Sequence, residues 1–305
     1  MAAVDRQFPA VSLVRLRKFT RKYLIGYLFV SVPVIWSIVF LLIPMFVSLL
    51  WSFTSYDGLH PAQLVGLQNY IELFRDPIFI HSLKNTTIFA LVGMSIGPTL
   101  GLLTALMLNQ KVRFQALFRT AYFMPVMTSM VVVATIWVML YNRSGIFNTV
   151  LGFFGVGPIG WLSDPNWALF SVIIASIWQG FGFETVVYLA ALQNIPKELY
   201  EAAIMDGASP IQSFWNITLP SLRAVMLFIY IYGIIGSYQV FDQVYVMTQG
   251  ISGGGPIYRT HTLVFYLFKK FQDLRLGYAS AIAYVLFVIL FIFSYLQWRY
   301  FSEKE

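Results

Sequence analysis

Six stretches of largely apolar residues recur along the chain, at 27–51, 85–108, 122–141, 167–192, 222–247 and 277–298. Short polar segments with turn-forming pairs such as Asp57-Gly58, Gly157-Pro158 and Asp164-Pro165 separate them, and a further Gly-rich turn covers 253–256. About 20 apolar residues at 1.5 Å each cross the hydrocarbon core of a bilayer. Each stretch therefore predicts a transmembrane helix. The pattern as a whole predicts an all-α membrane protein, a polytopic bundle of about six spans. The fifth stretch is the most interrupted, by Gly233, Gly236, Gln239, Asp242 and Gln243. The first is 25 residues long. That exceeds the roughly 7–15 residues of a signal-peptide core, and no small-x-small site follows it closely, so it is expected to be retained as a span.

Composition sharpens this reading. Hydrophobic residues make up 58% of the chain and charged residues 11%, too few to furnish the water-facing surface of an ordinary domain, where about 25% of residues are charged. Lipid is the expected solvent. With no cysteine, disulfides, thiolate metal sites and cysteine nucleophiles are excluded together. His60, His81 and His261 are scattered and form no H-E-x-x-H pattern. The net charge of +7 does not call for nucleic acid, because the cations cluster at helix ends and in the tail 1–24. Six spans place both termini on one side, where thirteen Lys and Arg fall against seven on the other. That excess predicts cytoplasmic termini. Lys269, Lys270 and Arg275 run against the trend, in the longest outer loop. The basic and apolar residues of the first 22 positions suit either an inner-leaflet segment that meets anionic lipid or a tail that only sets orientation. Residues 25–305 read as one membrane domain.

The most informative segment is the loop 194–220 between the fourth and fifth spans. In it, Pro196 suits the start of a helix, Glu198 and Glu201 favour a helix N-terminus, and Ala202 and Ala203 are strong helix formers. Gly207 suits the left-handed residue that ends a helix. Ser209-Pro210-Ile211-Gln212 reads as a capping box opening a second helix. Leu219-Pro220 leads into the fifth span. A helix–turn–helix on the cytoplasmic face is predicted, more than a mere connection needs.

This loop resembles the EAA loop of permease subunits in bacterial binding-protein-dependent ABC importers. The family pattern is EAA, three residues, G, nine residues, I, one residue, LP. Glu201, Ala202, Ala203, Gly207, Ile217, Leu219 and Pro220 meet it without gap or substitution. Asp206-Gly207-Ala208 is similar to the sugar-importer branch, as are 65–70 (VGLQNY), 118–120 (FRT) and 123–125 (FMP). The likeness covers nearly the whole chain after the tail and points to the maltose-permease-like or glycerol-phosphate-permease-like partner. It implies an inner-membrane permease with a type I importer fold and no enzymatic activity of its own. It implies a second homologous permease, two ABC ATPase subunits that bind ATP and Mg, and an extracytoplasmic sugar-binding protein. Glu201 would contact the ATPase, and Gly207 would permit the bend of a coupling helix. The chain lacks a G-x-x-x-x-G-K-[ST] loop. The G-x-G-x-x-G match at 155–160 falls in a loop, includes Pro158, and joins no strand to a helix.

Polar residues within spans are costly and mark candidate pathways. In the fifth stretch Tyr238, Asp242, Tyr245 and Gln249 fall on one face of a straight helix, with Gln239 and Gln243 beside it. The fourth adds Trp178, Gln179 and Glu184. Hydroxyls, amides and carboxylates interleaved with aromatic rings suit a sugar, and interhelical hydrogen bonding is the alternative role. No Lys or Arg falls in the middle of a span, which favours a neutral sugar over glycerol 3-phosphate. Gly93, Gly97 and Gly101 form a double G-x-x-x-G suited to close packing within the subunit or against a second permease. An ion-coupled secondary transporter using Glu184 and Asp242 is the competing reading. No His, Asp and Ser cluster supports an intramembrane enzyme.

Overall fold

α1 (Leu13–Ser37) and α2 (Ile43–Ser52) are joined by a π-helical turn at Ile38–Leu42 into one apolar run. It belongs to the first of two compact units, Met1–Trp51. The chain is seen here in a computed structural model whose described residues are 13–110, 113–248 and 258–302. Helix α1 begins inside the basic tail, of which residues 1–12 lie outside the described residues. Side chains such as Phe29, Trp36 and Phe40 are exposed over most of their surface, as lipid-facing residues are.

The second unit, Ser52–Glu305, holds α3 (Gln68–Arg75), α4 (Pro77–Asn109), α5 (Gln115–Met127), α6 (Met130–Leu140), α7 (Ile146–Phe153), α8 (Ala168–Gln193), α9 (Lys197–Met205), α10 (Pro210–Ser213), α11 (Leu219–Ser221), α12 (Arg223–Tyr238), α13 (Asp242–Thr248), α14 (Leu263–Gln272) and α15 (Leu276–Ser302). Across the described residues four helices are long and apolar enough to cross a membrane, and two bent pairs make six if each is one span. The expected helical bundle is therefore present, but two of its spans are not straight.

The third span is broken. α5 and α6 meet at 100° across Thr128 and Ser129. Pro125 lacks the N–H that a continuing helix needs, and α5 ends two residues later. The freed Thr128 carbonyl receives a long hydrogen bond from Gln179 Nε2, at 3.4 Å. The fifth span is broken too. α12 stops at Tyr238, and a new helix begins at Asp242. The Val240 carbonyl, left without a helical partner, accepts from Thr262 Oγ1 at 3.0 Å. Backbone of this kind survives at membrane depth only where protein or a cavity satisfies it.

α4 and α8 form the central pair and pack along much of their length. A methyl group at Gly101 would stand 2.7 Å from Glu184 Cβ, and one at Gly97 3.1 Å from Glu184 Oε2. Gly101 is needed for that approach and Gly97 makes room for the Glu184 carboxyl, so packing within the subunit accounts for both. Gly93, the third of the series, has no atom within 4 Å of where its Cβ would be. The second span also starts earlier than the apolar run implied. Asp76 caps α4, accepting from Ile78 N at 2.9 Å, with Pro77 at the first helical position.

The 65–70 segment has a structural role. Asn69 Nδ2 donates to the carbonyls of Ser52 and Thr54, each at 2.8 Å, and the Tyr70 hydroxyl donates to Ser52 Oγ at 2.7 Å. These bonds pin α3 to the chain that precedes it.

The loop cations that opposed the charge asymmetry sit on or beside α14, and two of them, Lys270 and Arg275, have local partners. Arg275 pairs with Glu72 at 2.7 Å and lies over the Tyr278 ring. Lys270 lies over the Tyr266 ring, near Asp273. The hydroxyls of Tyr266 and Tyr278 both donate to Asp76 Oδ2. Burial pushes the Asp76 carboxyl up, but the two tyrosine hydroxyls and the N–H groups of Ile78 and Phe79 outweigh it and hold the group below its usual range. A depressed carboxyl contributes stability that is complete above the unfolded value near 4 and is lost as pH falls through the lower folded value. Stability is thus expected to be flat from about pH 5 to neutrality on account of this residue and to drop below about pH 4. In Asp76→Asn the acid limb of a melting-temperature profile should be shallower than in the wild type. An unchanged limb would remove Asp76 from the account.

Candidate functional site

α4, α8 and α12 diverge where the broken fifth span leaves off, and α5 closes one side. The space between them is a cavity of about 380 Å³, within the roughly 300–1,000 Å³ range of ligand pockets. Glycines stand on three walls: Gly93, Gly180 and Gly236 face open space, whereas Gly97 makes room for the Glu184 carboxyl and Gly233 for Met94. Rings of Phe89, Phe181, Phe183 and Tyr232 supply flat apolar surface. The polar groups facing in are Ser176, Gln179, Glu184, Ser237 and Gln243. Gln243 Nε2 donates to Ser176 Oγ at 3.3 Å across the space. No Lys or Arg lines it among the described residues.

The structure divides the span-four and span-five candidates. Gln179, Glu184 and Gln243 line the cavity. Trp178 lies outside that lining, its ring at 5.8 Å from that of Trp137. The single helical face through Tyr238, Asp242 and Tyr245 does not exist, because the helix breaks at 239–241 and the spacing that joined them is lost. Tyr238 is instead buried against Phe293, its hydroxyl 3.1 Å from Thr87 Oγ1. Gln239 is exposed at the break, and Asp242 is exposed at the first turn of α13. Tyr245 packs among Phe241, Phe265 and Phe268. Gln249 and the 253–256 turn lie outside the described residues.

Sequence reasoning passed over Ser176, Tyr232 and Ser237. A signal was there. Tyr232, Gly233, Gly236 and Ser237 recur at the spacing of one helical face, and glycines on that face mark space as well as contact. In α8, Gly182 meets the Tyr122 carbonyl so closely that a Cβ would overlap it, whereas Gly180 faces open space.

The 194–220 loop forms at the end of α8 remote from α7. Its local chemistry follows the sequence. Gly207 takes φ +77° and ends the first helix. The capping box is complete: Ser209 N donates to Gln212 Oε1 at 2.7 Å, and Gln212 N donates to Ser209 Oγ at 3.3 Å. Two details differ. Pro196 is the cap, with Lys197 first in the helix. The second helix runs through Leu219 and Pro220, with a π turn at Phe214–Thr218, and the chain bends by 62° only at Leu222. Tyr200 and Thr218 pair through their hydroxyls at 2.9 Å and tie the two arms together. Ile217 packs against the core that contains Leu192 and Leu222, and Leu219 is half-buried. Glu201, Ala202 and Asp206 are exposed and Ala203 half-buried. Met205 (87%), Ile211 (72%) and Trp215 (61%) put apolar surface beside them. Exposed apolar residues grouped within polar ones are the mark of an interaction face.

Neither region has the makings of a metal centre: no group of three His, Asp or Glu among the described residues could hold an ion.

Comparison with known proteins bears on both regions. The family described as "Binding-protein-dependent transport system inner membrane component" matches residues 97–304, which takes in α8 and the whole 194–220 loop. The lactose transport system permease protein LacF of Rhizobium radiobacter is 37% identical over 286 residues, covering 92% of this chain and 95% of its own. A bacterial ABC transporter involved in the import of the acidic polysaccharide alginate has a chain that superposes with TM-score 0.82 at 26% identity, covering 95% of this chain and 99% of that one. The same type of transporter, in complex with an alginate pentasaccharide-bound periplasmic protein, gives 0.81 at 25% identity, with 93% and 96% covered.

Proposed function

This chain belongs to the binding-protein-dependent transport system inner membrane components, and from that membership we propose that it is one permease subunit of an ATP-driven sugar importer. It is a multi-pass membrane protein of a transport family, not an enzyme family. In the proposed assembly a second, homologous permease completes the pathway. Two ABC ATPase subunits bind ATP and Mg at the cytoplasmic face, where both termini of this chain also lie. An extracytoplasmic binding protein delivers the substrate.

The cavity between α4, α8 and α12 is the proposed pathway in this subunit, lined by Gln179, Glu184 and Gln243. Aromatic faces suit the apolar faces of a sugar ring, and the amides and hydroxyls suit its rim. The lack of a lining cation favours a neutral di- or oligosaccharide over a phosphorylated solute. For Tyr238, Gln239, Asp242, Tyr245 and Trp178 the surroundings support packing and loop roles. Asp242 is exposed and lies outside the lining to which Glu184 belongs, so the pair does not support an ion-coupled mechanism.

The 194–220 hairpin is the proposed coupling element. Its exposed side (Glu201, Ala202, Asp206, with Met205, Ile211 and Trp215 adjacent) would seat in the ATPase. Gly207, Ile217, Leu219 and Pro220 hold its shape, and Ala203 packs beneath it. The hairpin continues through the bend at Leu222 into α12, which walls the cavity. Movement of the ATPase pair would therefore reach the pathway through one continuous stretch of chain and open the cavity to alternate sides. The observation that carries this reading is that a complete EAA pattern forms an exposed helical hairpin joined directly to a cavity wall.

The test is mild purification of the tagged chain from its native membranes. An ATPase subunit, a second permease and ATP turnover stimulated by a sugar-loaded binding protein are expected with it. Recovery of the chain alone, under conditions that preserve complexes, would overturn the proposal.

A further inference from the structure

Among the described residues Glu184 is the one acidic residue lining the cavity, and its Oε2 is buried with no hydrogen-bond partner there. Its backbone is held firmly. Glu184 Cβ seats on Gly101, and the carboxyl group lies against Gly97, where any larger residue would crowd it. Thr185 Oγ1, the next hydroxyl along, is engaged with the Phe181 carbonyl. The nearby amides point one N–H elsewhere, Gln179 to Thr128 O and Gln243 to Ser176 Oγ, and neither donates to Oε2. A buried carboxyl oxygen without a donor is costly, and none of the cavity's own side chains supplies one.

We infer that Glu184 is a specificity-determining residue: it accepts a hydroxyl of an uncharged saccharide and turns away saccharides that carry carboxylates. This rests on the cavity being the sugar pathway and assigns its selectivity to one side chain. The chemistry has two parts. A sugar hydroxyl brings a donor to a carboxyl group that lines the cavity, and a hydrogen bond to a charged acceptor is about twice as strong as a neutral one. A uronate brings a second carboxylate into a space with no Lys or Arg to offset it, and like charges at close quarters cost several kcal/mol. The structurally similar alginate importer is described as handling an acidic polysaccharide, so the shared fold alone does not dictate the charge of the cargo.

The experiment uses the complete transporter in lipid nanodiscs at pH 8, with the binding protein omitted so that its own selectivity plays no part. Saturation-transfer NMR reports binding of maltotriose, trigalacturonate and the methyl ester of trigalacturonate. In the wild type, maltotriose and the ester are expected to bind about thirtyfold more tightly than the free acid. Glu184→Gln should narrow that ratio to about threefold, while Glu184→Asp retains it, because only the charge is removed in the first. Equal binding of ester and acid by the wild type would overturn the inference without any variant. So would a ratio that Glu184→Gln leaves unchanged, including the case where that variant assembles poorly and the surviving complex still discriminates. If the wild type binds none of the three and no saccharide stimulates its ATPase with the binding protein restored, the sugar-pathway reading itself fails.

Discussion

Glu201→Lys is expected to lower ATP-driven uptake by about thirtyfold or more while leaving the chain folded and in the membrane. Glu201 is exposed on α9 and makes no ion pair with any described residue, so the fold does not depend on its charge. In the proposed assembly it faces the ATPase. Reversing a charge at such a contact turns attraction into repulsion, and breaking one partner of a buried charged pair typically costs 2–5 kcal/mol, of which 2 is already a factor of about thirty. Glu201→Gln, which keeps the shape and removes the charge, should fall between. Uptake into proteoliposomes and ATP hydrolysis are measured on the same preparation, and their ratio is the diagnostic quantity. Hydrolysis that persists while uptake falls places Glu201 in coupling. Both falling together with loss of the ATPase on purification places it in docking. Unchanged uptake would exclude both and leave the loop without its assigned role.

The second large effect is structural. Gly182→Ala should destabilise the protein by about 2–3 kcal/mol, at the upper end for overpacking, and lower the yield of folded material. A Cβ at 182 would occupy the space of the Tyr122 carbonyl, and a backbone atom cannot swing aside as a side chain can. The α5–α8 contact would have to open, and with it the wall that Val126 contributes to the cavity. Gly180→Ala is the control. It lies on the same helix, has no atom within 4 Å of the new methyl, and should be neutral or mildly stabilising, since alanine is the better helix former by about 1 kcal/mol. Thermal unfolding of the two purified variants in one detergent makes the comparison. Equal melting temperatures would mean that the close approach at Gly182 is not a constraint on the fold.

The contrast between those two glycines also marks where sequence reasoning stops. Both stand in the fourth apolar run with the same neighbours in kind, and nothing local separates the one that touches a backbone from the one that faces a cavity. The two broken spans have the same origin. Pro125 announced a disturbance in the third, since a missing N–H is a local fact. Residues 239–241 contain neither Gly nor Pro. The break there is made tolerable by Thr262, more than twenty residues away, which satisfies the Val240 carbonyl. Periodicity counted through that point assumed a straight helix, and so it joined Tyr238 to Asp242 and Tyr245, which the fold sends to different surroundings.

By itself, then, the sequence determined the solvent, the number of apolar runs and the shape of the 194–220 hairpin. Those depend on hydrophobicity, on helix length against bilayer thickness, and on hydrogen bonds between residues three or four apart, such as the Ser209–Gln212 box. Only the tertiary structure decided where the third and fifth spans break, and which polar residues, Gln179, Glu184 and Gln243 among them, face the cavity. Those outcomes depend on partners distant in the chain. Thr262, Tyr122 and Gly97 act through space, and the order of residues along one helix carries no record of them.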